Sequence, residues 1–475
     1  MNLIGDPWIP VLDSDNQQKL VGLGELFSTG GDLADLALPP LERVAVIRLL
    51  LCVAQAALDG PKDHDGWKAC RDKIVPAALA YLEKWKTRFE LYGEGPFLQI
   101  PALEHKLNAG VDDRLGFGPS AGNTPLFDHG AMTGERHRPP AWVALHLVTC
   151  QCFALGGLTR GPKWAGRQTA YSAEAAPCAE QSMLFALLRG PSVLDSILLN
   201  MVTKSDLHGV SWGRPVWEQY PSAAQGDVAD LLAASYLGRL VPLARAIRLY
   251  PDEAAMGYAG GIRYPKLPQG REPMATVIVR DNKGQPQHRY LRTDPSRHPW
   301  RELGSILALD AGAGMGGALC LLKLRRSEQT DLDVWVGGLL CDKSKLLDVA
   351  EWSFHLPGGI LGDASLAEYE VGVEMAESVR RRLRGAVKKY GEAMKLESKS
   401  GLIQRCESHF WTQLDGRSPE LADLASRGAA LDPWTRTIWA TAHSAYAKAC
   451  PHTTPREIQA FAVGKRKLCA PARDE

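Results

Sequence analysis

The chain lacks almost every signature by which an enzyme declares its chemistry. Its 475 residues contain no His-Glu-x-x-His, no Gly-x-Ser-x-Gly and no recognisable frame of paired metal-binding carboxylates. The ten cysteines form no paired Cys-x-x-Cys sets, so no metal is expected, and with no convincing catalytic motif no cofactor is expected either. Cys150 and Cys152, with His146 upstream, read as reduced buried thiols beside a core histidine. No run of about eighteen uninterrupted apolar residues occurs, which excludes a membrane-spanning helix. The start, Met1-Asn2-Leu3, lacks a basic leader and is interrupted at Asp6 and Pro7, so no signal peptide is expected. A cytoplasmic protein with reduced thiols and no membrane is the consistent expectation. Charge of one sign is also missing. With 55 Lys and Arg against 54 Asp and Glu the formal net charge is +1, so any contact with a polyanion must be a local patch.

What the chain does contain is enough apolar material for a large core. It is 45% hydrophobic and 23% charged, and its length predicts two or three domains. Residues 40 to 91 carry apolar positions at spacings of three and four and predict helices. From about 92 to 170 the chain is rich in glycine and proline turns, interrupted by a helix from Ala141 to about Leu155. Ala275–Val279 and Arg289–Arg292, joined by Asp281–Gly284, predict a hairpin. Leu332–Val336 predicts a strand that ends at Gly337-Gly338. After Pro357 the texture is helical throughout, with Tyr369, Val373, Ala376, Val379, Leu383, Val387 and Tyr390 in one stripe and breaks that divide it into about four helices. The expected fold is therefore α+β: a large mixed domain with long loops over residues 1–360, then an all-α four-helix bundle over 361–475.

Several stretches are candidates for chemistry. Gly312-x-Gly314-x-x-Gly317, with Asp331 and Asp333 about twenty residues on, matches a dinucleotide fingerprint and keeps a nucleotide-dependent oxidoreductase open as an alternative. The segment before it reads as helix or turn, and no repeating βαβ pattern surrounds it. Gly156-Gly157 through Arg167 is no Walker loop, since Gly161 is followed by Pro162 and Lys163. Its glycines let backbone approach a groove or a phosphate, Arg160, Lys163 and Arg167 supply charge, and Trp164 offers a flat apolar face. An ordinary flexible surface loop explains the same composition. Leu339 to Lys345 follows the double glycine as a polar hairpin, and a protruding tip can be driven into a duplex. Arg380, Arg384 and Lys388 share one helix face; such a run is either a solvated surface or a phosphate contact whose affinity falls with salt. His409 reads as a packed histidine.

The first residues, Asn2-Leu3-Ile4-Gly5-Asp6-Pro7-Trp8-Ile9-Pro10-Val11, predict a short extended segment pinned into a core. They also resemble the opening of the large subunit family, CasA, of the type I-E CRISPR surveillance complex Cascade. Further matches follow in order: Pro96–Gln99, Gly122–Thr124 with Phe127, Leu188–Gly190 with Leu198–Asn200, Arg245–Leu249, Gly337-Gly338 and Glu407–Phe410.

That resemblance implies a non-catalytic subunit that recognises a protospacer-adjacent motif in duplex DNA, helps open the duplex for R-loop formation, and recruits a helicase-nuclease. The implied partners are a guide RNA ribonucleoprotein with backbone and small subunits, target double-stranded DNA, and that nuclease. It implies that Gly156, Gly157, Arg160, Gly161 and Lys163 approach the minor groove, and that Asn123 and Phe127 lie in a loop engaging the guide RNA end and target DNA. Taken alone, Asn123–His129 would read as a loop stapled onto its own domain. A lysine contact of the family falls in Gly260–Lys266, where either Arg263 or Lys266 stands for it. The family's glutamine wedge falls on Lys343, with Lys345 beside it; lysine lacks the amide, though its stem can wedge and its amine can bind phosphate. Some relatives carry a cysteine cluster that suggests a metal, but this chain has no cysteine between Cys178 and Cys320. A scaffold subunit without DNA contact is the remaining alternative.

Overall fold

A computed structural model describes residues 1–116, 137–207, 209–282, 284–307, 316–323 and 330–470. The chain divides into two compact units. One comprises Met1–Arg297, Ser305–Leu324 and Asp333–Ser353; the other comprises His298–Gly304, Arg325–Leu332 and Phe354–Glu475.

The core of the first unit is built on two helices that are apolar on nearly every face. Pro40–Ala57 begins with proline in its first turn, where a missing N–H costs nothing, and packs against Pro140–Phe153. Such helices cannot face water, and both are buried over most of their length. Arg48 is fully buried on the first of them; its guanidinium pairs with Glu272 and donates to Leu240 O at 2.9 Å. The opening segment folds as read: Ile9–Asp13 pairs antiparallel with Gln18–Val21 and with Leu33–Leu36. Trp8 is buried and donates Nε1–H to Leu3 O at 2.9 Å.

The family-like motifs elsewhere in this unit prove to be internal ties. Buried Gln99 donates to Leu91 O and accepts from Leu249 N. Asn200 accepts from Leu188 N at 2.9 Å and donates to Leu188 O at 2.6 Å. Each satisfies backbone groups that would otherwise be buried unpaired.

The predicted hairpin is present as Val277–Asn282 and Gln285–Tyr290. The second strand prediction needs correction. Leu332–Asp342 does not end at Gly337-Gly338 but runs through both, pairing with Phe185–Arg189 on one side and with Lys345–Leu356 on the other. The glycines are there for close packing. A β-carbon on Gly337 would lie 2.6 Å from the Trp335 ring, and one on Gly338 2.4 Å from Thr293 Oγ1 and 2.5 Å from Met183 O.

The second unit contains five helices in its C-terminal region: Asp363–Ala393, Ser400–Asp415, Ser418–Ser426, Asp432–Ala449 and Pro455–Cys469. The first is 31 residues long and packs against each of the other four. Its buried residues include Tyr369, Ala376, Val379, Leu383, Val387 and Tyr390, the stripe read from the sequence apart from Val373, which is half-buried. The last helix starts on a capping box, Thr454 with Glu457. Among the described residues no helix is long and apolar enough to cross a membrane.

Candidate nucleic-acid interface

The loop after helix Pro140–Phe153 leaves and returns through two stems held by one buried side chain. Arg245, 2% exposed, donates to Ala154 O at 3.2 Å and Leu155 O at 2.9 Å on the outgoing stem, and to Glu174 O at 2.8 Å on the returning one. The remaining guanidinium hydrogens reach Tyr258 Oη and Ala244 O. Above this clamp Gly157–Leu158 pairs with Ser172–Ala173 as a two-residue ladder. The loop is therefore a built projection, and the flexible-loop reading fails for its stems.

Its glycines do different things. Gly157 is exposed, with φ +156, and nothing crowds the place of its β-carbon. Gly161 is buried: a β-carbon there would lie 2.5 Å from Ala259 Cβ and 2.8 Å from Thr169 Oγ1, so it serves packing and cannot present backbone to a ligand. Trp164 is likewise corrected. At 2% exposure it belongs to the core and offers no face to solvent. Arg160 and Lys163 are exposed as expected. Arg160 lies 5.5 Å from the ring centre of Tyr171, and Lys163 is fixed by its backbone, which exchanges hydrogen bonds with Glu104.

The hairpin tip comes to the same place. Lys343 and Ser344 form the two-residue turn between Leu332–Asp342 and Lys345–Leu356, and Lys343 takes the left-handed conformation such turns require, φ +54. A β-carbon on Gly157 would lie 4.0 Å from Ser344 Oγ. Both Lys343 and Lys345 are exposed. The hairpin is rooted just below its tip, where Cys341 N donates to Ser182 Oγ at 3.0 Å and Ser182 Oγ donates to Cys341 O at 3.3 Å.

On the other side of the loop a cavity of about 360 Å³ opens between its returning segment and Gly260–Lys266, with Arg167, Glu174, Glu180, Arg263 and Lys266 in its lining. Both candidate cations face one carboxylate. Lys266 Nζ lies 3.4 Å and Arg263 Nε 3.8 Å from Glu174. Burial pushes the Glu180 carboxyl up from its ordinary range, against the pull of Lys266.

The structure thus sets the loop bearing Gly156, Gly157, Arg160 and Lys163 against the hairpin turn of Lys343 and Lys345 through the approach of Gly157 to Ser344, with Arg263 and Lys266 lining the cavity at the loop's returning segment. Asn123 and Phe127 lie outside the described residues, as do Gly312 and Gly314. Gly316 pairs with Val277 in both directions, and Arg271 donates to the Gly316 and Gly317 carbonyls. The segment described before the glycines is helix, Leu303–Ile306, where a dinucleotide site needs a strand. The oxidoreductase alternative loses its structural setting.

On the long helix of the second unit, Arg380 is held by Glu377 and Glu407, each at 2.8 Å, and Arg384 lies 3.7 Å from the same Glu407. These carboxylates hold the Arg380 guanidinium protonated more firmly than usual, against the opposing effect of burial. Lys388 is exposed. Cys150 and Cys152 are buried free thiols, and His146 stacks on Trp142 at 3.9 Å with its pKa lowered mainly by burial. Among the described residues no group of three or more His, Cys, Asp or Glu is placed to hold a metal.

Sequence reasoning passed over Arg245, Ser182, Glu174 and Tyr171. In the sequence Arg245 stands only as part of a family-like segment. Nothing local distinguishes the others, whose roles depend on partners far away in the chain.

A family model described as CRISPR-associated protein Cse1 matches residues 2–445. The CRISPR-associated protein CasA/Cse1 of Thermus thermophilus is 29% identical over 508 residues, covering 98% of this chain and 96% of that protein. The solved structure of Thermus thermophilus CasA (Cse1) superposes with a TM-score of 0.80 at 27% identity over 98% of both chains. A chain of a structure described as a CRISPR RNA-guided surveillance complex matches with a TM-score of 0.78 over 99% of both chains; at 17% identity that is a likeness of fold.

Proposed function

This chain belongs to the CRISPR-associated protein Cse1 family, and from that premise we propose that it is a non-catalytic subunit of an RNA-guided DNA surveillance complex. Its task in this reading is to test duplex DNA for a short flanking motif and to open the adjacent base pairs so that guide RNA can pair with the target strand. Division of labour between a protein that reads a short motif and base pairing that reads the rest is physically economical, because few protein contacts are then needed.

One observation carries the reading. The exposed backbone of Gly157 adjoins the hairpin turn Lys343-Ser344, so a groove-approaching strand and a projecting tip act at one place. Bare backbone in a minor groove accepts from the guanine amino group and is otherwise indifferent to base identity. The tip beside it enters the duplex at the next step, with the Lys343 stem as wedge and its amine on phosphate. Lys163, Lys345, Arg263 and Lys266 hold the backbone around it. On the second unit Arg384 and Lys388 give weaker phosphate contacts. The guide RNA ribonucleoprotein and the recruited helicase-nuclease are partners in this reading, and near-neutral net charge makes the isolated chain a weak DNA binder.

The test is a titration of the reconstituted complex against duplexes that differ only in the flanking motif. Affinity and strand opening that follow the motif support the reading, and Gly157→Asp then lowers affinity by about 10–100-fold by setting a carboxylate against the groove. Indifference to the motif overturns it. Unchanged binding by Gly157→Asp would leave a scaffold subunit instead.

A further inference from the structure

Every described Phe, Trp and Tyr is buried or half-buried except one. Tyr171 is 60% exposed. Its backbone is nevertheless fixed, since its carbonyl accepts from Thr159 N at 3.0 Å and from Arg160 N at 3.1 Å, immediately before the ladder that pairs Leu158 with Ser172 and Gly157 with Ala173. The Arg160 guanidinium lies over the ring, 5.5 Å from its centre. Arg160 adopts φ +45, a left-handed conformation that residues with a side chain rarely take. Leu158, 53% exposed, stands beside them, and the Lys343-Ser344 turn adjoins the same short strand through Gly157.

We propose that Tyr171 and Arg160 form a stacking platform for one nucleobase released when the duplex opens at the hairpin tip. This rests on the reading of the site given above. An aromatic ring beside a guanidinium offers a flat, cation-backed face, and any base has a π-face to lay against it, so the contact tolerates every sequence. A paired and stacked base cannot present that face; an unpaired one can. The platform therefore binds the opened state and not the closed one, and a contact made in only one of two states shifts the balance toward it. Groove reading by Gly157 selects the site, and Tyr171 holds it open.

Two duplexes carrying the same flanking motif test this on the complex reconstituted with guide RNA. One has a mismatched bubble next to the motif; the other is cross-linked between strands there and cannot open. Tyr171→Leu, which keeps bulk but removes the ring, should weaken binding of the bubble duplex about tenfold and leave the cross-linked duplex unchanged. Tyr171→Phe should match the wild type on both. Equal binding of both duplexes by Tyr171→Leu and wild type overturns the platform. Equal loss on both also overturns it, because Tyr171 is then part of a general duplex surface. A wild-type complex that ignores the motif fails the parent reading and removes the platform with it.

Discussion

Two cationic regions of this molecule look alike in composition and differ in what their charges are free to do. Arg380 to Lys389 is the densest positive run in the chain, yet Arg380 is spent on Glu377 and Glu407, Arg381 on Glu374, Arg384 partly on Glu407, and Lys389 on Glu392. Arg160, Lys163, Lys343 and Lys345 are scattered across nearly two hundred positions of sequence. Among the described residues their charged groups have no ion-pair partner, and the loop carrying Arg160 and Lys163 adjoins the turn flanked by Lys345 through Gly157 and Ser344. Density of charge along a chain is therefore a poor guide to available charge. A polyanion gains from cations that surrender no partner to meet it.

The largest expected effect comes from removing what stands behind the free cations. Arg245→Met leaves buried acceptors on both loop stems unpaired and should cost on the order of 3–5 kcal/mol in urea unfolding of the first unit. Faster amide exchange confined to residues 154–175 would locate the damage. Unchanged stability would mean that the clamp is dispensable.

Charge reversal then compares the two regions directly. Lys343→Glu with Lys345→Glu should lower the affinity of the assembled complex for motif-bearing duplex by about 10–100-fold and flatten its salt dependence by about two counterions. Arg380→Met should leave that affinity within about twofold and instead lower stability by about 1–2 kcal/mol, because Glu377 and Glu407 lose their nearest partner. If Arg380→Met weakens DNA binding as strongly as the lysine reversals, the contrast between the regions collapses.

At the candidate interface Glu174 imitates the second region, since it engages both Arg263 and Lys266. Both pairs are exposed and hence weak. Glu174→Gln should tighten duplex binding by about two- to fivefold and steepen its salt dependence. Weaker binding in the variant would show that the carboxylate positions the cations.

The smallest effect concerns an acid of the second unit that serves structure alone. The Glu457 carboxylate accepts from Thr453 N, Thr454 N and Thr453 Oγ1, and these bonds pull its pKa from 4.5 to about 2. The folded value lies below the unfolded one. Its stabilisation is therefore complete above about 4.5 and is lost as pH falls toward about 2. Glu457→Gln should be less stable than wild type at neutral pH, with the gap closing across that window in acid unfolding.

Much of the fold was legible because it is written in local periodicity. Pro40–Ala57, Pro140–Phe153, the Val277–Tyr290 hairpin and the stripe of Asp363–Ala393 all follow from spacing and turn chemistry. Misreadings came where meaning depends on a distant neighbour. Gly337-Gly338 reads as a strand end until Met183 and Thr293 are seen to occupy the space beside Gly338. Trp164 looked like an exposed face in a glycine loop, and only the packing around it shows otherwise. The positions of the glycine loop and the hairpin tip followed from family-like residues, but nothing in the sequence says that Gly157 and Ser344 adjoin. For Arg380 half the answer was visible, because Glu377 stands three residues earlier on the same helix.

The bonds between Ser182 and Cys341 set the throw of the hairpin as a lever. Beyond that fulcrum Asp342, the turn Lys343-Ser344 and Lys345 on the returning strand project, a reach of roughly 7 Å. The rise of DNA is about 3.4 Å per base pair. In the function proposed here, a lever this short would displace one or two pairs and then run out of stroke, leaving further unwinding to the incoming RNA strand. On that reading the distance from fulcrum to tip sets how far the protein opens a helix unaided.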